Sequence, residues 1–479
     1  MIDLRPHQAA ALGNIDQAIQ AGSGQTRGRI VVPTGGGKTF IEAAAVRLVR
    51  EKYRKAGIHL VMAPRIVLVN QLIRDYRKIL GTEDFRCIAF HSGFWREEQD
   101  LDWDETSTTS LAEVRLHHGL ASKFNRDLVV FSTFHSAWKF INEIEFDTIV
   151  SDESQYCMEE TFFQVVRDLA GSVRLFFTAT EKHTASAQGR GLNNEAIFGK
   201  RLFEIAPHKL VEQGLIVPPR LHVLWAETNV SGTKRKITNK EETKFILHEV
   251  MEIVDAQTQI SSQTLGFSKI LFAMKGTEHV KVISDNVAKV RARFPNHDVF
   301  LITSKLGAEI NGVKVKRDQD FLPKLKDSKN ALIFHYNILS EGIDVDGITG
   351  VAILRGMDQD KLLQTIGRAV RVYKPNPEAK RFALITVPVI NGDQTDREEV
   401  FKIIQAIRQG GYDISAHEVS QTGETNHQPD PEQVEDAYGN DKSRGKLDFL
   451  TNIFNEYEDM QYFENLKQCK TVEGFLAAL

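Results

Sequence analysis

The sequence predicts two tandem α/β domains, each built on a parallel β-sheet, with an acidic, partly helical C-terminal tail. Three observations carry that expectation. Short β-rich apolar runs alternate with helical periodicity from the N-terminus to about Thr180, the pattern of a doubly wound sheet with helices on both faces. The alternation lapses, then starts again from about Leu221 to Val387. Only the first series carries a glycine-rich loop between a strand and a helix, so a single phosphate-binding loop is expected to serve both domains. At 479 residues the chain has material for two or three domains.

Taken in order, Leu4-Arg5-Pro6-His7-Gln8 leads into a helix through Ile19, and Gly28–Val32 is a short buried strand. Val31-Val32-Pro33-Thr34-Gly35-Gly36-Gly37-Lys38-Thr39 follows, and Phe40–Ala45 opens a helix. A glycine run at a strand-to-helix junction lets the backbone close around an anion, with its N–H groups and the helix N-terminus pointing at phosphate. Lys38 supplies a point charge for β/γ phosphates, and the Thr39 hydroxyl is placed to ligate Mg²⁺. The strict phosphate-loop pattern wants glycine where Val32 stands.

Ile58–Pro64 reads as a buried strand, Val67–Leu80 as an amphipathic helix and Cys87–Phe90 as a third strand. Residues 94–127 are a polar insertion with a helical part around Leu111–Phe124; strands resume at Leu128–Phe131, Thr148–Val150 and Arg174–Phe177. Val217-Pro218-Pro219 reads as an inter-domain linker. Further strands are predicted at Leu221–Trp225, Ile270–Ala273, Val299–Ile302, Ala331–Phe334, Val351–Leu354 and Phe382–Val387, and a helix at Arg397–Gln409. Residues 412–446 are too polar to bury much surface, and Leu447–Leu466 reads as a last amphipathic helix.

No apolar run is long enough to span a bilayer, and the N-terminus lacks a signal-peptide pattern. Cys87, Cys157 and Cys469 are widely spaced, which suggests neither a zinc site nor a disulfide framework. A reducing, cytoplasmic setting is the expectation. The net charge of −4 is unevenly spread. From His417 onward thirteen Asp/Glu face five Lys/Arg, a net of −8, which leaves the remaining chain at +4. A slightly basic body is compatible with gripping a phosphate backbone. Pro429-Asp430, Glu435-Asp436 and Lys442 loosely resemble a nuclease pattern, but no central strands are predicted there to gather them, so a nuclease is not expected.

Ile149-Val150-Ser151-Asp152-Glu153-Ser154-Gln155 sets two adjacent carboxylates at the C-terminal end of a strand, the edge where ligands bind in open α/β sheets. Asp152 suits a Mg²⁺ ion, and Glu153 the orientation and deprotonation of an attacking water. Gln364-Thr365-Ile366-Gly367-Arg368-Ala369-Val370-Arg371 offers two arginines three residues apart, read as lying on one helix face, as positive charge for a γ-phosphate.

Together these motifs resemble the superfamily 2 helicases and translocases of the DEAD/DEAH-box class over roughly residues 4–371. Gln8, with Arg5, resembles the adenine-reading motif, Pro33–Thr39 motif I, Ala63-Pro64-Arg65 motif Ia and Ser132-Thr133-Phe134 motif Ib. Asp152–Gln155 resembles motif II, Thr178-Ala179-Thr180 motif III, Ser340-Glu341-Gly342-Ile343-Asp344 motif V and Gln364–Arg371 motif VI. The resemblance implies two RecA-like domains, at 1–206 and 207–411, ahead of the tail at 412–479, with ATP and Mg²⁺ in the cleft between them and nucleic acid across their top. It assigns ATP contacts to Arg5, Gln8, Thr34, Gly35, Gly36, Gly37, Lys38, Thr39, Gly342 and Asp344, and metal contacts to Thr39 and Asp152. It gives catalysis to Lys38, Glu153, Gln364, Arg368 and Arg371, coupling to Gln155, Thr178 and Thr180, and nucleic-acid contacts to Arg65, Thr133 and Ser340. Gln155 departs from the His or Asp usual at that position, although an amide can still donate and accept.

Phe203–Ile216, Leu384–Pro388 and Phe401–Arg408 are similar to segments of the helicase part of type III restriction enzymes and related DNA-directed proteins. DNA is therefore expected over RNA as the polymer, and protein partners in a restriction, repair, replication or defence assembly fit the same likeness. Two activities stay open: a helicase or translocase, on DNA or RNA, and a nucleic-acid-stimulated ATPase that serves as sensor or motor subunit and unwinds nothing alone.

Overall fold

The structure is a computed structural model that describes residues 4–22, 25–53, 56–92, 107–186, 188–226, 239–264, 266–316, 320–336, 345, 347–354, 357, 359–373, 375–390, 403, 407, 410–412, 416–418 and 451–454. Its contacts divide the chain into two compact units, Met1–Ala206 and Pro207–Leu479.

The first unit is an eight-stranded sheet: β1 (Thr26–Val31), β2 (Ile58–Ala63), β3 (Phe85–Phe90), β4 (Ser107–Thr108), β5 (Asp127–Thr133), β6 (Phe146–Ser151), β7 (Gly171–Thr178) and β8 (Lys200–Glu204), in the spatial order β4-β3-β5-β2-β6-β7-β1-β8. Every pairing is parallel. Both faces are apolar because successive side chains alternate sides. Val61, Phe131, Leu175 and Phe177 enter one core; Leu60, Met62, Val130 and Phe176 enter the other. Helices α1 (Pro6–Ala21), α2 (Lys38–Lys52) and α3 (Ile66–Leu80) contribute to the first core. In α3 the buried residues Val69, Leu72, Ile73, Tyr76 and Leu80 recur at helical spacing, the apolar stripe that seats a helix on a sheet. Because the strands are parallel, their C-terminal ends share one edge, where the loops after β1, β2, β5, β6 and β7 gather.

The second unit is also a mostly parallel sheet. Its strands are β9 (Pro219–Ala226), β10 (Lys269–Ala273), β11 (Asp298–Thr303), β12 (Gly307–Ile310), β13 (Val313–Val315), β14 (Ala331–Tyr336), β15 (Gly350–Ile353), β16 (Ala383–Ile390), β17 (Ala416–Glu418) and β18 (Thr451–Phe454). Their order is β13-β12-β11-β14-β10-β15-β16-β9-β18-β17, with β11 to β9 along this order parallel and both flanks antiparallel. Two tandem RecA-like sheets are thus the architecture. Among the described residues no helix is long and apolar enough to cross a membrane.

Several expectations are corrected. Val217-Pro218-Pro219 is no linker: Val217 N–H donates to Val370 O at 2.7 Å, Ile216 bridges Arg371, and β9 begins at Pro219. β8 went unanticipated because Lys200-Arg201-Leu202-Phe203-Glu204 is charged, as an edge strand with solvent on one side can be. The β12–β13 hairpin turns on Asn311-Gly312, both at positive φ, and Asn-Gly was its sequence signal. The helix expected at Leu447–Leu466 is contradicted at Thr451–Phe454, which pairs antiparallel with β9, while Ala416–Glu418 adds a further strand outside it. A β9 left at the edge would present unpaired backbone groups, and Thr451 and Ile453 are β-branched residues suited to meet them. Of the helix expected at Arg397–Gln409, Ile403 and Ile407 are described, helical and buried, four residues apart.

Candidate nucleotide site

The glycine loop begins where β1 ends. Val32 N–H continues the sheet to Thr178 O at 2.9 Å, Gly36 N–H turns back onto Pro33 O at 3.0 Å, and α2 starts at Lys38. Gly35 (φ 89°) and Gly37 (φ 79°) occupy the left-handed region that favours glycine. At Gly37 there is a second requirement, since a Cβ there would come within 2.4 Å of Gln8 Nε2.

Gln8 and its neighbour His7 hold this loop from α1. The Gln8 amide lies 3.4 Å from Gly36 O and 3.3 Å from Gly37 O through Nε2, and its Oε1 accepts from Arg5 N at 3.0 Å. His7 Nε2 lies 2.8 Å from Gly36 O. Thr34, Gly35 and Thr39 are half-buried beside them.

The acidic loop arrives on β6. Asp152 N–H bonds Met62 O at 2.9 Å, and Asp152 Oδ1 accepts from Glu153 N at 2.9 Å. Glu153 sits at φ 49°, ψ 50°, a left-handed conformation unusual for a side-chain-bearing residue, which costs on the order of 1 kcal/mol or more and tends to be kept where a side chain must be aimed. Its carboxylate is held at both oxygens: Lys38 Nζ donates to Oε1 at 2.9 Å and Gln155 Nε2 to Oε2 at 2.8 Å. Gln155 Oε1 in turn lies 2.8 Å from Thr178 Oγ1. Thr178 Oγ1 also lies 2.6 Å from Thr180 O and accepts from Thr180 N at 3.1 Å, its one proton serving one of the two oxygens. A continuous polar line therefore runs from the phosphate loop to the end of β7.

Burial and charge compete here. Burial alone would lower Lys38, but the carboxylates of Glu153 and Asp152 outweigh it and hold the ammonium above its ordinary value, so Lys38 carries its charge. Burial, then the Glu153 charge, pushes Asp152 up to about 6 against the pull of Lys38.

The other predicted residues lie elsewhere. Arg65, exposed, is the N-cap of α3 after β2. Thr133 pairs with Ala63 in the adjacent strand and is buried, its Oγ1 accepting from Ser136 N at 3.1 Å to cap a short helix. In the second unit Gln364 and Arg368 lie on the helix Gln359–Ala369, Gln364 half-buried and Arg368 buried. Arg371 does not share that helix face. The last helical bond closes from Val370 N to Ile366 O at 3.1 Å, and Arg371 lies beyond the helix on the bridge to Ile216; that pairing pulls the chain straight. Ser340, Gly342 and Asp344 lie outside the described residues, as do residues 94–106 of the polar insertion.

Residues 1–183 match the sequence family described as "Type III restriction enzyme, res subunit". Over this segment the chain is similar to the superfamily 2 helicase domain of type III restriction enzymes. No curated protein matches the chain. Among solved structures, the ATP-dependent type ISP restriction-modification enzyme LlaBIII bound to DNA is similar over 85% of this chain and 30% of its own, at 18% identity and a TM-score of 0.60. A nuclease-deletion mutant of the type ISP enzyme LlaGI, in complex with a DNA substrate mimic, covers 85% and 29% at 20% identity and a TM-score of 0.58. A fragment of a putative HsdR subunit of a type I restriction enzyme from Vibrio vulnificus YJ016 covers 87% and 70% at 16% identity and a TM-score of 0.52. The chain thus spans under a third of the length of the two type ISP enzymes, and at these identities the likeness is one of fold.

The first unit holds two site residues that sequence reasoning missed. Glu42, on α2 one turn after Lys38, is fully buried against Asp152, to which its side chain is hydrogen-bonded. Burial first, then the Asp152 charge, raises Glu42 well above the carboxylate range, so it keeps the proton that such a contact needs. Tyr76 Oη lies 3.5 Å from its Oε2. The signal was a lone carboxylate in the apolar run Ile41-Glu42-Ala43-Ala44-Ala45. His7 was the second, and its signal was adjacency to Gln8.

The residues fit a triphosphate and a divalent cation. Two glycines stand where side chains would be strained, a charged Lys38 follows them, and the Asp152 carboxylate faces the same ammonium.

Proposed function

We propose that this chain is a cytoplasmic, ATP-hydrolysing motor of the superfamily 2 class that acts on DNA. The observation that supports this reading most is the hydrogen-bonded line Lys38–Glu153–Gln155–Thr178, which ties a phosphate loop to a candidate general base and then to the end of a neighbouring strand. Backbone N–H groups of Thr34–Thr39 other than that of Gly36, which bonds Pro33 O, and the Lys38 ammonium would hold the β/γ phosphates, while Gln8, with Arg5 beside it, would read the base. Thr39 and Asp152 would hold Mg²⁺, which when bound neutralises phosphate charge. Glu153 would orient a water through its carboxylate and take its proton as the water oxygen attacks the γ-phosphorus and the bond to the β–γ bridging oxygen breaks, with ADP and phosphate as products. Gln364, Arg368 and Arg371 would meet the charge that develops in the transition state, with Gly342 and Asp344 contributing to the nucleotide. Gln155, Thr178 and Thr180 would pass the state of Glu153 along β7. Arg65, Thr133 and Ser340 would meet the polymer, Thr133 through its backbone because its hydroxyl is engaged in a helix cap.

DNA is favoured over RNA because the two type ISP enzymes of like fold are described with DNA or a DNA mimic. Phosphate contacts alone hardly separate the polymers; the 2′-hydroxyl and helix shape must do so. A second reading is favoured by the chain's coverage of 30% and 29% of those enzymes: a motor portion of a restriction or defence assembly that hydrolyses ATP without unwinding alone.

The test is ATPase rate without polymer and with single-stranded, duplex and branched DNA and RNA at matched salt, alongside displacement of a labelled strand. DNA-stimulated hydrolysis with displacement supports the first reading, and stimulation without displacement the second. Equal stimulation by RNA removes the DNA preference, and no hydrolysis under any condition removes both.

A further inference from the structure

We infer that Lys380 is a positioning residue that fixes the arginine-bearing end of the Gln364–Arg371 segment through its backbone. The inference rests on the ATP-hydrolysing reading above. Lys380 is 1% exposed. Its Nζ donates to Ile348 O at 2.7 Å, to Arg371 O at 2.7 Å and to Ala369 O. An ammonium has three N–H groups and no acceptor, which matches the three main-chain oxygens around it.

The three acceptors are not neighbours in structure by default. Ala369 closes the helix Gln359–Ala369, whose final carbonyls have no partner inside the helix. Arg371 lies two residues on, in extended backbone paired with Ile216. Ile348 precedes β15. One buried cation therefore joins the helix end, the backbone of Arg371 itself and the entry to a central strand. Pro375–Glu378, between Arg371 and Lys380, are exposed, and the chain there turns on the bonds from Asn376 N–H to Tyr373 O at 3.0 Å and from Ala379 N–H to Asn376 O at 3.2 Å. The Tyr373 ring, 4.8 Å from the Phe267 ring by centroid and beside Gly347, anchors the first part of this return. Lys380 anchors its end.

A charged group that must meet a transferring phosphoryl group loses much of its effect when displaced by an ångström, on the order of 10²-fold in rate. The backbone oxygen of Arg371 is held directly, so loss of the ammonium leaves this arginine with only its bridge to Ile216 and loosens its position. Lys380 would not touch the substrate; its effect would pass entirely through this segment.

The experiment is polymer-stimulated ATPase kinetics on the full chain for wild type, Lys380→Met, Arg371→Ala, the double variant and Lys380→Arg, with thermal melting of each. Lys380→Met is expected to lower kcat by about 10- to 100-fold with KM for ATP within a few-fold of wild type. It should add little further loss in the Arg371→Ala background, because residues acting through one group are non-additive. Lys380→Arg, which keeps donors, should recover most of the rate. Equal losses in both backgrounds, or unchanged kcat in folded Lys380→Met, overturns the inference and leaves the ATPase reading intact. Wild-type kcat in Arg371→Ala overturns the reading of this segment and the inference with it. If Lys380→Met gives no melting transition, Lys380→Gln carries the same comparison with the same two outcomes.

Discussion

Replacing Gln155 with leucine should slow ATP hydrolysis far more than it weakens ATP binding. Gln155 is 4% exposed and stands between two partners, donating to Glu153 Oε2 at 2.8 Å and lying 2.8 Å from Thr178 Oγ1. A hydrogen bond to an ionised carboxylate is worth about 1.5–3 kcal/mol. If that energy holds Glu153 where a water must be deprotonated, its loss appears in the barrier, about 10- to 150-fold in turnover. Glu153 keeps Lys38 on its other oxygen, so that ion pair is kept and only the aim of the carboxylate is relaxed. Lys38 and the glycine loop are untouched, so KM for ATP should stay within a few-fold. Gln155→Glu provides a contrast, since a second carboxylate 2.8 Å from Glu153 repels it or takes a proton. The assay is steady-state phosphate release at saturating polymer, with melting curves to confirm folding. Folded Gln155→Leu protein with kcat within twofold of wild type would refute the reasoning, and Glu153 would then owe its orientation to Lys38 and its own backbone.

Glu153→Gln should keep ATP binding and lose roughly 10²–10⁴ in turnover, measured by nucleotide titration beside phosphate release; normal turnover removes Glu153 from the catalytic role. Arg371→Ala should leave nucleotide affinity within a few-fold and cost on the order of 10³ in kcat, whereas a large loss of binding with little loss of rate contradicts that role. Burial pushes His222 from 6.5 down to about 4. Between those values the unfolded chain binds a proton that the folded one refuses, so stability falls as pH drops through this window, by about 3 kcal/mol in all. His222→Asn should lose that component of the pH dependence in denaturant titrations at pH 7 and pH 4.5; an unchanged difference between the two pH values sinks the argument. Truncation before His417 removes β18 and all of β17 but Ala416 and bares β9, so the shortened chain should self-associate in sedimentation. The same truncation strips a charge of −8 and should raise DNA affinity at low salt. A monomer of unchanged DNA affinity would contradict both effects.

The sequence by itself determined the architecture and the local chemistry of the phosphate loop. Buried parallel strands need apolar residues on both faces, so runs such as Leu60-Val61-Met62 announce themselves, and Gly35-Gly36-Gly37-Lys38-Thr39 leaves few alternatives for the turn that follows β1. What it could not supply was anything set by partners distant in the chain. The edge strand β8 is charged because only its pairing, not its composition, makes it a strand. Arg371 leaves its helix because Ile216 offers it a backbone partner 155 positions away in the sequence, where helical spacing alone put it beside Arg368. Thr451–Phe454 follows the open edge of β9 rather than its local periodicity. In one dimension Glu42 is only a lone carboxylate in an apolar run, and Lys380 an ordinary surface charge. Tertiary packing alone buries the first against Asp152 and surrounds the second with three carbonyls, and removal from water turns an unremarkable charge into one that must find a partner.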